Sequence, residues 1–249
     1  MKIRILSYNI HKGFHSFGVK FVLHEIRQAL RETKADILLL QEVVGENKNH
    51  QKNLKDWPSE AQFEFLADSV WSHYSYGKNA IFDERNHGNA ILSKFPILQA
   101  ENIDISNNKW EQRGLLHCEL QVPEIRGKSL HLFNVHLDLW ESGRHKQLHR
   151  IIQRAQSHVP NGAPFILGGD FNDWSQSLSP LFYEFLGVHE SFDQNQGSHA
   201  QTFPSFFPVL RLDRLYYKHL TVSFTTTLTE EPWSNLSDHL PILAEFEIE

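Results

Sequence analysis

Short runs of β-branched, aliphatic and aromatic residues recur along this chain and alternate with helical stripes, and that alternation restricts the fold more than any other feature. The apolar runs fall at Ile3, Ile5 and Leu6, then at residues 37–40, 90–92, 115–120, 130–135, 165–167, 210–217, 221–227 and 242–248. Between the first two, Val19, Val22, Leu23, Ile26 and Leu30 recur at i, i+3, i+4, i+7 and i+11, the apolar face of a helix; Leu148, Ile151, Ile152, Ala155 and Val159 repeat the spacing. Residues 58–71 predict a further helix with Pro58 in its first turn. The middle, residues 89–138, reads as strand after strand. No repeat or Pro/Gly/Ser-rich linker divides the chain, so one domain over residues 1–249 is expected, and its 40% hydrophobic content is enough to fill a core. Helices with two sets of strands predict an α/β sandwich, two sheets face to face with helices outside.

The formal charge is −6, and residues 228–249 hold Glu230, Glu231, Asp238, Glu245, Glu247 and Glu249 with no Lys or Arg, so the rest of the chain is balanced. Such a chain lacks the clustered cations of a dedicated polyanion-binding module, although an enzyme acting on phosphates is compatible with it. The single cysteine, Cys118, implies neither a disulfide framework nor a zinc–thiolate cluster. The first residues lack the apolar region of a signal peptide, and no run approaches the ~18 apolar residues of a membrane span. A cytoplasmic location and no obligate protein partner are expected.

The apolar runs end in polar residues. They run into Ser7-Tyr8-Asn9, Gln41-Glu42, His136-Leu137-Asp138 and Gly168-Gly169-Asp170-Phe171-Asn172, and two further groups are Leu212-Asp213-Arg214 and Ser237-Asp238-His239. One Asp or Asn after a strand is an ordinary turn former. Six such endings point to side chains gathered at a common rim, where sheets hold their ligand sites. Glu42 after four aliphatics needs a partner such as a cation, and the glycines before Asp170 permit close backbone approach.

The absence of a cysteine cluster, a His-Glu-x-x-His pair, a Walker loop and a Gly-x-Ser-x-Gly elbow leaves zinc hydrolysis, nucleotide cleavage on a P-loop and serine hydrolysis without support. Carboxylates with amides suit a hard, mostly hydrated Mg²⁺ or Mn²⁺, and with it phosphoester hydrolysis.

The ordered set Ser7-Tyr8-Asn9, Gln41-Glu42-Val43, Gly88-Asn89-Ala90, Asn134-Val135-His136-Leu137, Gly168-Gly169-Asp170-Phe171-Asn172, Leu212-Asp213-Arg214 and Ser237-Asp238-His239 resembles the endonuclease/exonuclease/phosphatase superfamily. The stretches 65–71, 87–90 and 203–214 resemble its small bacterial YbhP-like branch. The resemblance implies a four-layered α/β sandwich of the deoxyribonuclease-I-like kind and a metal-dependent hydrolase acting on ester bonds. It implies Glu42 as the principal ligand of Mg²⁺ or Mn²⁺, with Asn9 and Asp238 beside it. Asp170 would place the attacking water, Asn172 would bond a phosphate oxygen, and His239, oriented by Asp213, would face the phosphate with His136 opposite. Asn89, Arg113, Arg144, Arg214 and Phe206 are expected at the substrate. That substrate is a phosphoester, whether small molecule, lipid head group or nucleic acid; a nuclease on DNA or RNA is the alternative enzyme, and a non-catalytic phosphate binder the alternative of another class.

His136 stands where some nucleases of the family carry tyrosine, and no long basic insertion for gripping duplex DNA is present. The run Arg144, Lys146, Arg150 and Arg154 predicts a solvated helix face, with Arg144 and Gln147 nearest the rim. The aromatic loop 203–208 reads either as a wedge against a lipid or base or as packing beneath the loop; Trp57, Trp140 and Trp174 carry the same two readings.

Overall fold

A computed structural model of the chain describes every residue except 17–19, 83–84, 109, 124, 126 and 249. Its strands are β1 (Lys2–Asn9), β2 (Ile37–Asn47), β3 (His73–Phe82), β4 (Arg85–Ser93), β5 (Ile97–Asp104), β6 (Gly114–Leu120), β7 (Leu130–His136), β8 (Phe165–Asp170), β9 (His189–Glu190), β10 (Asp213–Lys218), β11 (Thr221–Thr227) and β12 (Ile242–Glu247). The α-helices are α1 (Leu23–Glu32), α2 (Lys48–Asn53), α3 (Gln62–Ala67), α4 (Glu141–His158), α5 (Leu178–Leu186), α6 (Ser191–Gln196) and α7 (Trp233–Leu236).

The strands form two six-stranded mixed sheets, ordered β11-β12-β1-β2-β4-β3 and β5-β6-β7-β8-β10-β9. Each has one parallel pair, β1–β2 or β7–β8, flanked by antiparallel neighbours. A helix joins each parallel pair, α1 in one sheet and α4 in the other, because parallel strands need a crossover. Period-two alternation then sorts the core into three parts. Ile3, Ile5, Ile37 and Leu39 face Leu116, Leu132, Ile166 and Leu215 between the sheets. On the opposite face of the first sheet, Leu6, Tyr8, Leu38 and Leu40 meet Leu23, Ile26 and Leu30 of α1. On the outer face of the second, Phe133, Val135 and Leu167 meet Leu148 and Ile151 of α4 and Phe182 of α5. The result is the four-layered α/β sandwich of the deoxyribonuclease-I-like fold.

The predicted helix over 58–71 shrinks to α3, which starts after extended Ala61 and stops at Asp68, whose φ of 42° leaves the helical region. Val22 precedes the first residue of α1, while Val19, read as part of its stripe, lies outside the described residues, as does Glu249. Glu245 and Glu247 pair across the ladder with Arg4 and Lys2, at 3.4 and 3.6 Å, so the acidic edge of β12 is answered by β1. Among the described residues, no helix is long and apolar enough to cross a membrane.

Candidate active site

The sheet ladders deliver the polar strand ends to one rim. Asn9 at the close of β1 lies opposite Gln41, midway along β2 where its ladder to β4 shifts register, His136 lies opposite Asp170 at the close of β7 and β8, and Asp213 opposite Asp170 where β10 begins. The Ser237 hydroxyl donates to the Asn9 carbonyl at 2.7 Å, which brings Asp238 and His239 to the same place. Gly169 has φ 141°, and a Cβ there would collide with the Val135 carbonyl, so only glycine lets β8 deliver Asp170 this close to β7.

A carboxylamide staple holds the two sheets together just beneath. Gln41 donates to Asn134 Oδ1 at 2.8 Å, while Asn134 Nδ2 reaches across to the carbonyls of Leu40 and Ala90 at 2.9 and 2.8 Å. Asn89, expected at the substrate, belongs to this staple instead: it is buried and donates to the carbonyls of Gly114 and Asn134 at 3.0 and 3.3 Å. An amide inside an apolar core has to satisfy its donors, and cross-sheet carbonyls do so here.

Asp170 is the meeting point. Its Oδ2 accepts from Asn9 Nδ2 at 3.1 Å and lies 3.5 Å from His136 Nε2 and 3.6 Å from His239 Nε2. Its Oδ1 accepts the Asn172 backbone N–H at 3.0 Å, a turn closed by Asn172 at φ 50°. Behind His239, Nδ1 lies 2.9 Å from Asp213 Oδ2, which also accepts the Thr202 hydroxyl at 2.5 Å. Burial raises Asp170 to about 6, with the charge of His239 pulling the other way and Asp213 adding to the rise. For His239, burial disfavours the imidazolium, but the carboxylates of Asp213 and Asp170 outweigh it and lift the ring to about 10. His136 is pushed well below its ordinary value by burial and by Arg113, against a smaller opposing pull from Glu42. The rim thus pairs one cationic imidazole with one neutral one across a single carboxylate.

Glu42 turns outward at φ 56°, and its Oε2 meets Lys12 Nζ at 2.7 Å. Burial alone would raise this carboxyl, yet the charge and hydrogen bond of Lys12 hold it below the usual carboxylate range. His11, on the same short 3-10 turn (His11–Gly13), brings Nδ1 within 3.4 Å of Asp238, and its N–H donates to Asn9 Oδ1 at 3.1 Å. Glu42, Asp238 and the Asn9 carbonyl oxygen are therefore oxygen donors faced by positively polarised groups of one turn. Such a donor set fits a hard divalent cation. Among the described residues, Asp170, Asp213 and His239 also bring ligand atoms within 4.8 Å of one another. Asp213 Oδ2 there is already committed to His239 and Thr202, which makes that trio a hydrogen-bonded relay.

Two further expectations at the substrate need correction. Arg144 is fully buried, with Nη1 donating to the Leu139 carbonyl at 2.7 Å and the Trp174 ring 4.7 Å over its guanidinium. Arg214 is fully buried too, bonded to the carbonyls of Arg211 and, at 3.1 Å, Asp173. Both guanidiniums brace the loop after Asn172 from beneath, because Asp173 turns its buried carboxylate to the start of α5, accepting from Leu178 N–H at 3.0 Å. The solvated helix face expected of the cationic run therefore begins after Arg144, with Lys146 and Arg150 exposed. Arg113 Nη2 donates to Glu111 at 2.7 Å, and the charge of this arginine acts on His136. The aromatic loop divides its two readings: Phe203 packs 5.0 Å from the His239 ring, while Phe206 and Phe207 are exposed. Trp57 stacks on Phe21 at 4.9 Å, and Trp140 is exposed. Lys12 and Thr202 were not singled out by the sequence; only Lys12 carries a signal, three residues beyond Asn9 in the same segment.

Two packed mixed sheets with flanking helices, and the polar rim they carry, define a protein of the deoxyribonuclease-I-like fold. Within it, the chain belongs to the Endonuclease/Exonuclease/phosphatase family, whose model matches residues 6–239. It is 43% identical over 245 residues to YbhP of Escherichia coli (strain K12), covering 98% of this chain and 96% of that one. Among solved structures it is similar to truncated Caenorhabditis elegans TDP2, with a TM-score of 0.71 and 22% identity over 99% of this chain and 98% of that one. It is similar also to the mannosyl-6-phosphatase Bt3783 of Bacteroides thetaiotaomicron VPI-5482, with a TM-score of 0.72 and 18% identity over 99% of this chain and 100% of that one.

Proposed function

We propose that this chain is a divalent-metal-dependent phosphoesterase that hydrolyses a small phosphoester by in-line attack of water. The observation that carries the reading is the convergence of His136, His239 and Asn9 on the Asp170 carboxylate, with Asp213 behind His239. A phosphate binder has no use for a buried carboxylate beside an Asp–His pair, whereas hydrolysis needs both a proton acceptor for water and a fixed positive charge at phosphorus.

In this reading Asp170 orients the water and takes its proton as the oxygen–phosphorus bond forms and the bond to the leaving oxygen breaks. Asn9 and the Asn172 N–H hold that carboxylate in place, so little reorganisation accompanies the step. Asp213 keeps His239 as the imidazolium, which neutralises charge growing on the phosphoryl oxygens. The Asn172 amide, fixed by donating to the Leu137 carbonyl at 3.0 Å, keeps a second N–H for the same oxygens. Glu42, Asn9 and Asp238 would hold Mg²⁺ or Mn²⁺, which supplies further neutralisation of the phosphate when bound. Hydrolysis of bis(p-nitrophenyl) phosphate tests this: turnover is expected with Mg²⁺ or Mn²⁺, lost in EDTA and lost in Asp170→Asn. Metal-independent turnover, or full activity in Asp170→Asn, overturns the reading.

A further inference from the structure

On the Arg113 side of the rim lies a second cleft, of about 580 Å³, between β3, β5 and the segment joining β5 to β6. Among the described residues nine line it, and five of these carry carboxamides: Asn79, Asn102, Asn107, Asn108 and Gln112. None of the nine is aromatic or aliphatic, and the charges are mixed, Lys78 and Arg113 against Asp104. The amides are built into the walls. Asn102 Nδ2 donates to the Lys78 carbonyl at 3.1 Å and to Asn79 Oδ1 at 3.2 Å, and Asn79 lies so close over Gly114 that a side chain there would collide with it. Asn107 Nδ2 donates to Asp138 Oδ2 at 3.1 Å and to the Gly143 carbonyl at 3.0 Å, whereas its Oδ1 is buried without a partner. An acceptor in that state takes a donor from water or from a ligand hydroxyl that displaces it.

The same segment presents Trp110, 96% exposed. The backbone that carries it is pinned, because Asn108 Oδ1 accepts the N–H groups of Trp110 and Glu111, both at 2.9 Å. A flat indole held out beside an amide-lined cleft fits a ring whose faces are C–H and whose edge is hydroxyl. Each hydroxyl donates and accepts, as each carboxamide does, so amides satisfy it without net charge. A lipid tail finds no apolar wall here, and a nucleic-acid backbone finds two cations opposed by an acid. Two of its residues tie the cleft to the rim: Arg113 lines it and acts on His136, and Asn107 bonds Asp138, two residues beyond His136.

We infer that this cleft is the leaving-group subsite of the proposed phosphoesterase, and that it selects an uncharged ring polyol, a sugar or cyclitol carried on the phosphate, with Trp110 as its stacking platform. This rests on the reading of the rim given above. The test compares kcat/KM for glucose 6-phosphate, myo-inositol 1-phosphate, glycerol 3-phosphate and the dinucleotide TpT with that for bis(p-nitrophenyl) phosphate, in the intact chain and in Trp110→Ala and Asn102→Ala. A ring-polyol phosphate is expected to be preferred over glycerol 3-phosphate and TpT by at least tenfold. Each substitution should lower kcat/KM for that substrate at least tenfold more than for the aryl diester. Which of the two ring substrates leads distinguishes sugar from cyclitol. Preference for TpT, or an equal effect of Trp110→Ala on both substrate types, overturns the subsite while leaving the phosphoesterase reading intact. Calorimetric titration of the same ring phosphates into Asp170→Asn reads the subsite without turnover. Binding there that Trp110→Ala abolishes supports the subsite even if hydrolysis fails, and binding that Trp110→Ala leaves unaltered overturns it.

Discussion

Asn172 is held at φ 50° with its amide already donating to Leu137, so it is set before substrate arrives. If it meets charge that grows only on the way to the transition state, Asn172→Ala should lower kcat by roughly 10²–10³, about 2.7–4 kcal/mol, with little change in KM. Steady-state kinetics on bis(p-nitrophenyl) phosphate reads the split. Arg214 behaves differently. Its buried guanidinium is spent on backbone carbonyls and on the loop at Asp173, so Arg214→Ala should cost about 3 kcal/mol of stability in urea unfolding before any effect on KM. These two residues also mark how far sequence reaches at this scale. Asn9, Glu42 and Asp170 stand out in the sequence because a polar group after an apolar run has few places to go except a sheet rim, whereas Asp213 opens its strand. Arg144, Arg214 and Asn89 stand in the same motifs, yet whether an arginine or an amide turns to solvent or into the frame depends on carbonyls contributed by distant segments.

At the scale of elements, α4 packs its middle turns on the second sheet, and near its end Arg154 reaches a histidine pair on the sheet surface. Arg154 Nε donates to His117 Nδ1 at 3.2 Å, and His117 Nε2 lies 3.0 Å from His131 Nδ1. Because an arginine can only donate, His117 Nδ1 is bare and its Nε2–H points to His131. Burial, then Arg154 and His131, hold His117 down to about 3, while Glu101, Glu119 and His158 line the same surface. The folded value lies below the unfolded one, so the contribution is full above about pH 6.5 and fades as pH falls toward 3. Between pH 7.5 and 5.5 the intact chain should lose about 1 kcal/mol more in urea unfolding than His117→Gln. The strands were legible as apolar runs, and α4 as a long stripe. The shortness of α3 was not, since Asp68 leaves helical geometry and pairs with Arg31 of α1, a contact between elements.

For the molecule as a whole, Lys2 and Arg4 lie across from Glu247 and Glu245, so two acids of the final segment are answered within one ladder, whereas Asp238 of the same segment lies at the rim and acts on His239. With a formal charge of −6, kcat/KM for a small phosphoester should change less than about twofold between 50 and 200 mM NaCl; a loss of about 10³ would mark a polyanion substrate. The layered class followed from alternating strands and helices, but the strand order did not, because β1 sits between β2 and β12. Ser237 and Asn9, joined by a hydrogen bond, are 228 positions apart. During synthesis, a chain extended as far as β11 already carries Asn9, Glu42, His136, Asp170 and Asp213, yet lacks Asp238 and His239 and leaves one edge of β1 open. Asp238 and His239 therefore join the other five only as β12 pairs with β1, and until then the open edge of β1 is a surface to which a strand of another chain can add.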